Sequence, residues 1–277
     1  IGIGGLNMKA ENTEIIKAYY DANPQMEWDR TDESRIEFII TSRMLNRYIK
    51  EGDKVLDIGG GPGRYSIWLA SRGCDVTLFD LSEGNVRFAE NKAAELGVRL
   101  KTICGNALDN DLYPDEYYDH ILVMGPMYHI FDEEERRTVI NNALAYLKPN
   151  GKIYIAFINL FAGVMYYMDE WLQGFKAELD SGNGYAECIC NNTSWEGRAF
   201  TEARFASLPE IKSFCNSFGI KQLTMFGQEG FLACQLTHIE ALEEPHRSTW
   251  IEYAYRMCEI EDYLIMSSHI MYIGEKC

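Results

Sequence analysis

The sequence lacks the features of a membrane protein and of a nucleic-acid-binding protein. No apolar run approaches the roughly 20 residues that cross a bilayer, so we expect no membrane association. The chain has 26 Lys and Arg residues against 42 Asp and Glu residues, which gives a net charge of −16. Nucleic-acid-binding proteins normally present a basic surface. The charge therefore favours a small or cationic ligand and argues against a nucleic-acid partner.

The eight cysteines lack the spacing of a zinc site. Cys188 and Cys190 form the one close pair in the sequence, and no Cys or His partner lies at zinc-finger distance from them. We therefore predict no metal site, reduced thiols and a cytoplasmic protein. Ile1 to Asn7 is a short, glycine-rich segment before Met8, and we interpret it as a remnant of the expression vector and not as a targeting signal.

A strand, a glycine-rich turn and a helix are predicted over Val55 to Ala70. Such a turn lets the backbone approach a ligand closely, because glycine has no Cβ. The helix behind it offers free N–H groups to an anionic group. A dinucleotide fingerprint counted from Gly59 and Gly61 needs a third glycine at position 64, which is Arg64. The pattern present is Asp-x-Gly-x-Gly-x-Gly, formed by Asp57, Gly59, Gly61 and Gly63.

This pattern resembles the first motif of the class I S-adenosylmethionine-dependent methyltransferases. A second segment, Gly125-Pro126-Met127-Tyr128-His129, follows the fourth predicted strand and is similar to a bacterial group of small-molecule methyltransferases. The resemblance covers residues 50–160 well and residues 200–230 and the last strand more loosely. It implies S-adenosylmethionine as cofactor, with S-adenosylhomocysteine as product. It also implies a doubly wound α/β fold with a seven-stranded, mostly parallel sheet in the order 3-2-1-4-5-7-6 and an antiparallel last strand.

Two polar residues at strand ends are candidates for binding the nucleoside. Asp80 lies about twenty residues after the glycines, where a carboxylate can bind ribose hydroxyls. The alternative is that Asp80 caps the next helix, a role that Ser82 fits better. Asn106 stands where the resembled family usually has Asp, and its amide oxygen can accept from adenine unless it is a plain turn residue. The predicted cofactor-binding residues are Asp57, Gly59, Gly60, Gly61, Gly63, Asp80, Leu81, Asn106, Ala107, Met124 and Gly125.

Candidates for chemistry and for acceptor binding are mostly aromatic. Tyr128 and His129 could orient or deprotonate an acceptor, while His129 could equally hold its loop through a backbone carbonyl. Four residues are predicted on the substrate side: Tyr20, Trp28, Tyr167 and Trp171. Tyr20 and Trp28 could face the sulfonium of the cofactor or be simple core, and the other two could line a lid.

Strands and helices alternate from Val55 to Ile158, which predicts a parallel sheet with helices on both faces. Helices over residues 13–23 and 35–50 precede this region, with residues 26–30 expected to form a loop. Two segments interrupt the core pattern, residues 160–204 and 231–267. We interpret both as cap insertions into one domain that spans residues 8–277. For residues 160–204 we expect an amphipathic helix followed by a loop.

The predicted reaction is transfer of the methyl group of S-adenosylmethionine to an O, N, S or C nucleophile of a small-molecule acceptor. Alignment of donor and acceptor can supply most of the acceleration, because the sulfonium already makes the methyl electrophilic. The Asn-Pro-Pro-Tyr motif of amino-group methyltransferases that act on adenine or glutamine is absent after the fourth strand. The alternatives are a methyltransferase acting on protein or RNA, a nicotinamide-dependent oxidoreductase and a non-catalytic binding protein.

Overall fold

The structure, a computed structural model, describes residues 3–109 and 116–277. The first two residues of the predicted vector remnant lie outside this range. The strands are β1 (Lys54–Ile58), β2 (Asp75–Asp80), β3 (Lys101–Cys104), β4 (Tyr118–Val123), β5 (Leu147–Asn159), β6 (Trp195–Arg198), β7 (Glu202–Ala206), β8 (Lys221–Gly227) and β9 (His269–Glu275). Among the described residues, none of the helices combines the length and apolar character that crossing a membrane requires.

Twelve α-helices occur in the same residues. They are α1 (Ile3–Ala22), α2 (Pro24–Arg30), α3 (Ile36–Leu45), α4 (Arg64–Ser71), α5 (Glu83–Glu95), α6 (Glu133–Tyr146), α7 (Ala162–Asp169), α8 (Phe175–Asp180), α9 (Tyr185–Asn191), α10 (Leu208–Asn216), α11 (Leu236–Glu240) and α12 (His246–Met257). The chain forms two compact units. The first comprises residues up to Arg30, Lys50–Gly151 and Glu196–Ala203, and the second comprises Thr31–Ile49, Lys152–Trp195 and Arg204–Cys277.

The first unit contains a parallel sheet in the order β3-β2-β1-β4. Val55 pairs with Val76 on one side and with His120 on the other, and Ile58 pairs with Phe79 and Val123. The carboxyl ends of these three strands therefore meet at one edge of the sheet. Nearly every residue of β1, β2 and β4 is buried, as expected of parallel strands with covered faces.

The second unit contains the later part of β5 together with β9 and β8. β9 runs antiparallel to both neighbours, with Ile155 opposite Tyr272 and Phe226 opposite Met271. The helices α3 and α12 belong to the same unit, where Arg43 pairs with Glu252. That ion pair is solvent-exposed, so it adds little to stability.

The predicted α/β fold with a mostly parallel sheet is confirmed. The order of the first four strands matches the predicted 3-2-1-4, and the order β5-β9-β8 matches the predicted 5-7-6 with its antiparallel last strand. The prediction of seven strands is incomplete, because the described residues form nine. The additional pair, β6 and β7, lies in residues 195–206, where each strand is only four or five residues long and carries charged side chains. Short strands of this kind give almost no apolar signal.

Residues 26–30 are not the loop that the sequence predicts. They belong to α2, which starts at Pro24 directly after α1 ends at Ala22. Proline does stop a preceding helix, but it is also favoured at the first position of a new one, where its missing N–H costs nothing. Trp28 therefore lies on a helix. The predicted helix over residues 35–50 is also shorter than expected, since α3 ends at Leu45.

The segment over residues 160–204 is more helical than predicted. The expected single amphipathic helix is broken into α7 and α8 by Trp171, whose backbone is non-helical at φ −150° and ψ 63°. The expected loop contains α9, which packs Tyr185 against Leu160 and Trp195. Residues 231–267 are mostly helical as predicted. The assignment of the whole chain to one domain stays a prediction.

Candidate functional site

The glycine turn after β1 lies directly against the turn after β4. A Cβ on Gly59 would lie 2.6 Å from Cδ of Pro126, and a Cβ on Gly125 would lie 2.8 Å from the carbonyl oxygen of Gly59. Neither position can hold a larger residue without moving the other turn. Gly59 also has a positive φ of 71°. The sequence pattern therefore marks a close approach of two backbone segments at the carboxyl edge of the sheet.

Asp57 supports this turn from inside the core. The hydroxyl of Ser66 donates to its Oδ2 at 2.6 Å, and a Cβ on Gly60 would lie 2.8 Å from the same oxygen. The carboxyl is almost completely buried, and this burial raises its pKa to about 6. Asp57 was predicted as a cofactor-binding residue, and the structure places it beneath the turn.

Asp80 connects the turn to the start of α5. Its Oδ2 accepts from the backbone N–H of Gly61 at 2.8 Å, and its Oδ1 accepts from the N–H of Ser82 at 2.9 Å and from Asn85 at 3.3 Å. Ser82 is the N-cap of α5, as the sequence suggested, because its side chain accepts from the N–H of Asn85. A carboxylate has about four acceptor positions, so Asp80 retains one beyond these three bonds. Burial raises the pKa of Asp80.

Five other predicted cofactor residues share this edge and are partly exposed: Leu81, Asn106, Ala107, Met124 and Gly125. Asn106 forms a local turn, in which its Oδ1 accepts from the N–H of Leu108 at 3.0 Å. This bond is the one expected of a turn residue, and it leaves the oxygen a second lone pair. The structure thus brings most of the predicted cofactor set together at the ends of β1, β2, β3 and β4. Their roles in binding stay predictions.

Tyr20 and His129 form a hydrogen-bonded pair inside the first unit. The Nδ1 of His129 lies 2.9 Å from the carbonyl oxygen of Glu202, and its Nε2 lies 2.7 Å from the hydroxyl of Tyr20. A carbonyl can only accept, so Nδ1 carries the proton, and Nε2 accepts from the hydroxyl of Tyr20. Burial lowers the pKa of His129 to about 4, although the bond to Glu202 acts to raise it. His129 is therefore neutral at physiological pH.

Aromatic rings surround this pair. The ring of His129 lies 4.8 Å from that of Tyr128 and 6.0 Å from that of Phe200, while Tyr20 stacks edge-on against Tyr19 at 5.1 Å. Burial, together with the neighbouring Tyr128, raises the pKa of Tyr20 well above its usual value. Phe200 and the carbonyl of Glu202 were not predicted. A backbone acceptor has no sequence signature, and Phe200 lies in a segment that we interpreted as a cap.

The ring of Trp28 packs against the guanidinium of Arg64. The guanidinium carbon of Arg64 lies 3.4 Å from the centre of its ring, and Arg64 also donates to the backbone carbonyl of Trp28 at 2.6 Å. One face of the indole is thus already occupied by a guanidinium. The sequence left open whether Trp28 faces the sulfonium of the cofactor or is simple core, and only the remaining surface of its ring is available for a contact with the sulfonium.

Asp21 is a further residue of this region that sequence reasoning missed. It accepts from the hydroxyl of Ser82 at 2.6 Å and from the N–H of Gly84 at 2.9 Å, and it pairs with Lys17. Partial burial acts to raise its pKa, but these hydrogen bonds outweigh burial and lower it to about 2. Asp21 therefore fixes the end of α1, which carries Tyr20, to the first turn of α5.

Tyr167 and Trp171 belong to the second unit and form a small cluster of their own. Their rings are 6.1 Å apart, and the hydroxyl of Tyr167 donates to Glu178 at 2.9 Å. Burial and the bond to Glu178 raise the pKa of Tyr167 to about 12. Trp171 is 54% exposed. The expectation that these two residues line a lid stays a prediction.

Comparisons with known proteins agree with this geometry. Residues 55–151 match the family described as "Methyltransferase domain". This region contains the glycine turn, Asp80 and the segment through His129. Together with the fold, the match confirms the resemblance. The match supports a class I S-adenosylmethionine-dependent methyltransferase domain over residues 55–151, with S-adenosylmethionine as the expected cofactor.

Individual relatives are more distant. The chain is 29% identical over 155 residues to a ubiquinone biosynthesis O-methyltransferase of Pseudomonas fluorescens, a match that covers 54% of this chain and 64% of that protein. The chain thus spans less than two thirds of this relative, and half of the corresponding protein of Rickettsia akari.

Two solved structures share the fold at low sequence identity. One is a 1,6-didemethyltoxoflavin-N1-methyltransferase of Burkholderia thailandensis with S-adenosylhomocysteine bound, at a TM-score of 0.57 and 14% identity, covering 100% of this chain and 91% of that one. The other is a SAM-dependent methyltransferase of Methanosarcina mazei, at a TM-score of 0.55 and 18% identity, covering 84% and 96%.

Proposed function

We propose that this protein transfers the methyl group of S-adenosylmethionine to a protic O–H or N–H group of a small molecule, which the hydroxyl of Tyr20 orients. The observation that carries the proposal is the hydrogen-bonded series from Tyr20 to Nε2 of His129 and from Nδ1 of His129 to the carbonyl of Glu202. This series fixes the direction of the Tyr20 O–H bond. The lone pairs of the hydroxyl oxygen can then accept a hydrogen bond from the O–H or N–H group of the small molecule that is methylated.

The cofactor would be held by the glycine turn and its neighbours. The spare acceptor position of the buried Asp80 fits a ribose hydroxyl, and the N-terminal end of α4 fits an anionic group. When bound, S-adenosylmethionine supplies an electrophilic methyl group. The protein then needs to align the acceptor and exclude water, so no metal or strong base is required for the transfer.

His129 is better suited to orient Tyr20 than to remove a proton. With a pKa near 4 it is a weak base at neutral pH, whereas an effective general base has a pKa close to the working pH. The proton of the O–H or N–H group becomes strongly acidic only as the methyl group arrives, and it is lost to solvent after the transfer, so a hydrogen-bond acceptor such as the Tyr20 oxygen is sufficient during the transfer. In this proposal Tyr20 touches the acceptor and His129 positions Tyr20.

The relatives support a small-molecule acceptor, since two of them carry the names of ubiquinone and toxoflavin methyltransferases. The net charge of −16 disfavours RNA. The cysteines are free, which fits the reducing cytoplasm as the proposed location.

The first test is a panel of phenols, enols, heterocyclic N–H compounds, amines and thiols, read as release of S-adenosylhomocysteine. Turnover with a protic O–H or N–H compound supports the proposal. Turnover with none of them, in a protein that binds S-adenosylmethionine, would favour a non-catalytic binding protein and refute it.

Tyr20→Phe then separates the two roles of the pair. Loss of one neutral hydrogen bond is worth about 0.5–1.5 kcal/mol, so orientation alone predicts a roughly 3- to 10-fold lower kcat with a flat profile between pH 6 and 9. General-base catalysis predicts a loss of about 100-fold or more. A His129→Gln variant tests the positioning role of His129. His120→Gln is its matched control, because His120 lies in β4 beside Val55, is buried and has Asp53 as its partner.

A further inference from the structure

Three residues with metal-binding side chains meet in the second unit. Glu37 belongs to α3, Glu229 follows the end of β8, and His269 is the first residue of β9. One ligand atom from each side chain lies within 4.8 Å of the other two. Because they come from positions 37, 229 and 269, no local spacing in the sequence could reveal the group.

This group lies at the carboxyl edge of the strands in its unit. His269 pairs with Ile158 near the end of β5, and Gly227 at the end of β8 pairs with Ile270. Open α/β sheets bind their ligands at this edge. The position is therefore one where a ligand can bind.

Glu229 is buried and rigidly held. It is only 2% exposed, and the side chain of His269 is 24% exposed. Its Oε1 lies 2.6 Å from Nδ1 of His269, and its Oε2 accepts from the hydroxyl of Ser267 at 2.6 Å and from the N–H of His269 at 3.0 Å. Such hydrogen bonds around a carboxylate fix its direction, as they do around metal ligands.

The three side chains supply a mixed set of ligand atoms. The two carboxylates offer oxygen ligands and the imidazole offers a nitrogen ligand. A divalent cation accepts such a set, and two carboxylates match its charge.

We propose that Glu37, Glu229 and His269 bind a divalent first-row transition-metal ion, a site separate from the methyl-transfer proposal. Ligands at 2.0–2.2 Å from such an ion are roughly 3.0–3.4 Å apart, so the group closes modestly on binding. In the bound state the bond between His269 and Glu229 is exchanged for two bonds to the ion, and water completes the coordination. Carboxylate and imidazole together suit manganese, iron, cobalt or zinc more than magnesium, which prefers oxygen alone.

The test uses Mn²⁺ as the probe. Zinc would also bind thiolates, and Cys188 and Cys190 are free, whereas manganese prefers oxygen and nitrogen ligands. Binding to the full chain is measured by the loss of the free Mn²⁺ electron paramagnetic resonance signal in 0.15 M salt, with excess Mg²⁺ present to occupy weak acidic surface sites. We expect one Mn²⁺ per chain in the wild type. We expect Glu37→Gln and His269→Gln each to weaken binding at least tenfold.

His238→Ala is the matched control. His238 also faces a carboxylate, with its Nδ1 3.6 Å from Asp169, but it is exposed and lies outside the group. This variant should bind Mn²⁺ like the wild type. If His269→Gln fails to fold, Glu37→Gln alone tests the proposal. Glu37 is only partly buried, so this variant is expected to fold. Absence of stoichiometric binding in the wild type, or equal affinity in folded Glu37→Gln, would overturn the proposal.

Discussion

Replacement of Asp80 by Ala should weaken binding of S-adenosylmethionine. In the proposed complex the carboxylate accepts from a ribose hydroxyl while it holds the N–H groups of Gly61 and Ser82. A hydrogen bond to a charged group contributes about 1.5–3 kcal/mol. At 1.4 kcal/mol per factor of ten, the dissociation constant should rise roughly 10- to 100-fold. Isothermal titration with S-adenosylmethionine and with S-adenosylhomocysteine measures this rise.

The same substitution also removes two contacts that shape the empty turn, so the variant needs a matched control. Asp119→Ala provides it, because Asp119 also accepts from a backbone N–H, that of Lys54 at 2.9 Å, but at the opposite edge of the sheet. Asp119→Ala should lose stability and keep its affinity for the cofactor. The result that refutes the reasoning is an unchanged dissociation constant in a folded Asp80→Ala variant. Asp80 would then only fix the turn and the start of α5.

Three further predictions concern the turn, the histidine and the cap. Gly59→Ala should lower the free energy of unfolding in urea by more than about 2 kcal/mol, since it places a Cβ 2.6 Å from Pro126 at a position with positive φ. Gly52 also has a positive φ but lies in open space, so Gly52→Ala should cost only about 1–2 kcal/mol. Equal losses in the two variants would contradict the close approach. The lowered pKa of His129 means that the folded state resists protonation between pH 6.5 and about 4, so the free energy of unfolding should fall by roughly 3 kcal/mol on acidification over that range. His129→Gln should lose less stability over the same range. Identical pH dependence in the two proteins would show that His129 is not the cause. If Trp171 lines a lid, Trp171→Ala should impair methyl transfer. It should leave cofactor affinity unchanged, because its side chain is 54% exposed and lies outside the first unit. An equal loss of cofactor affinity would show that Trp171 has a structural role instead.

Much of the fold could be predicted because its strands are long, apolar and separated by turn residues. The core strands of the first unit, such as Asp75–Asp80, were predicted to within a residue or so. The failures are short elements, such as α2, α9 and the pair β6 and β7. Proline at position 24 both ends one helix and begins another, and sequence pattern alone does not distinguish the two roles. In residues 160–204, tertiary packing around Tyr185 and Trp195 overrides a composition typical of loops.

The candidate site also contains residues that the sequence predicts and contacts that it does not. Glycine is required wherever two backbones touch, so Gly59 and Gly125 could be found from residue type and spacing. The partner of His129 is a backbone carbonyl at Glu202, 73 residues away, and any residue type supplies a carbonyl. Contacts of that kind are decided by tertiary structure and leave no pattern in the sequence.

The difference between local and long-range contacts explains why the sequence predicts the cofactor better than the acceptor. A cofactor of fixed shape imposes fixed chemistry at the ends of the central strands, and glycine and aspartate record it locally in the sequence. In our proposal, acceptor alignment depends instead on groups that are far apart in the sequence, such as Tyr20 and His129. If alignment of donor and acceptor supplies most of the rate, as we propose, such distant contacts select the molecule that is methylated. The acceptor is therefore best sought by varying the residues around the Tyr20 hydroxyl while the glycine turn is kept intact.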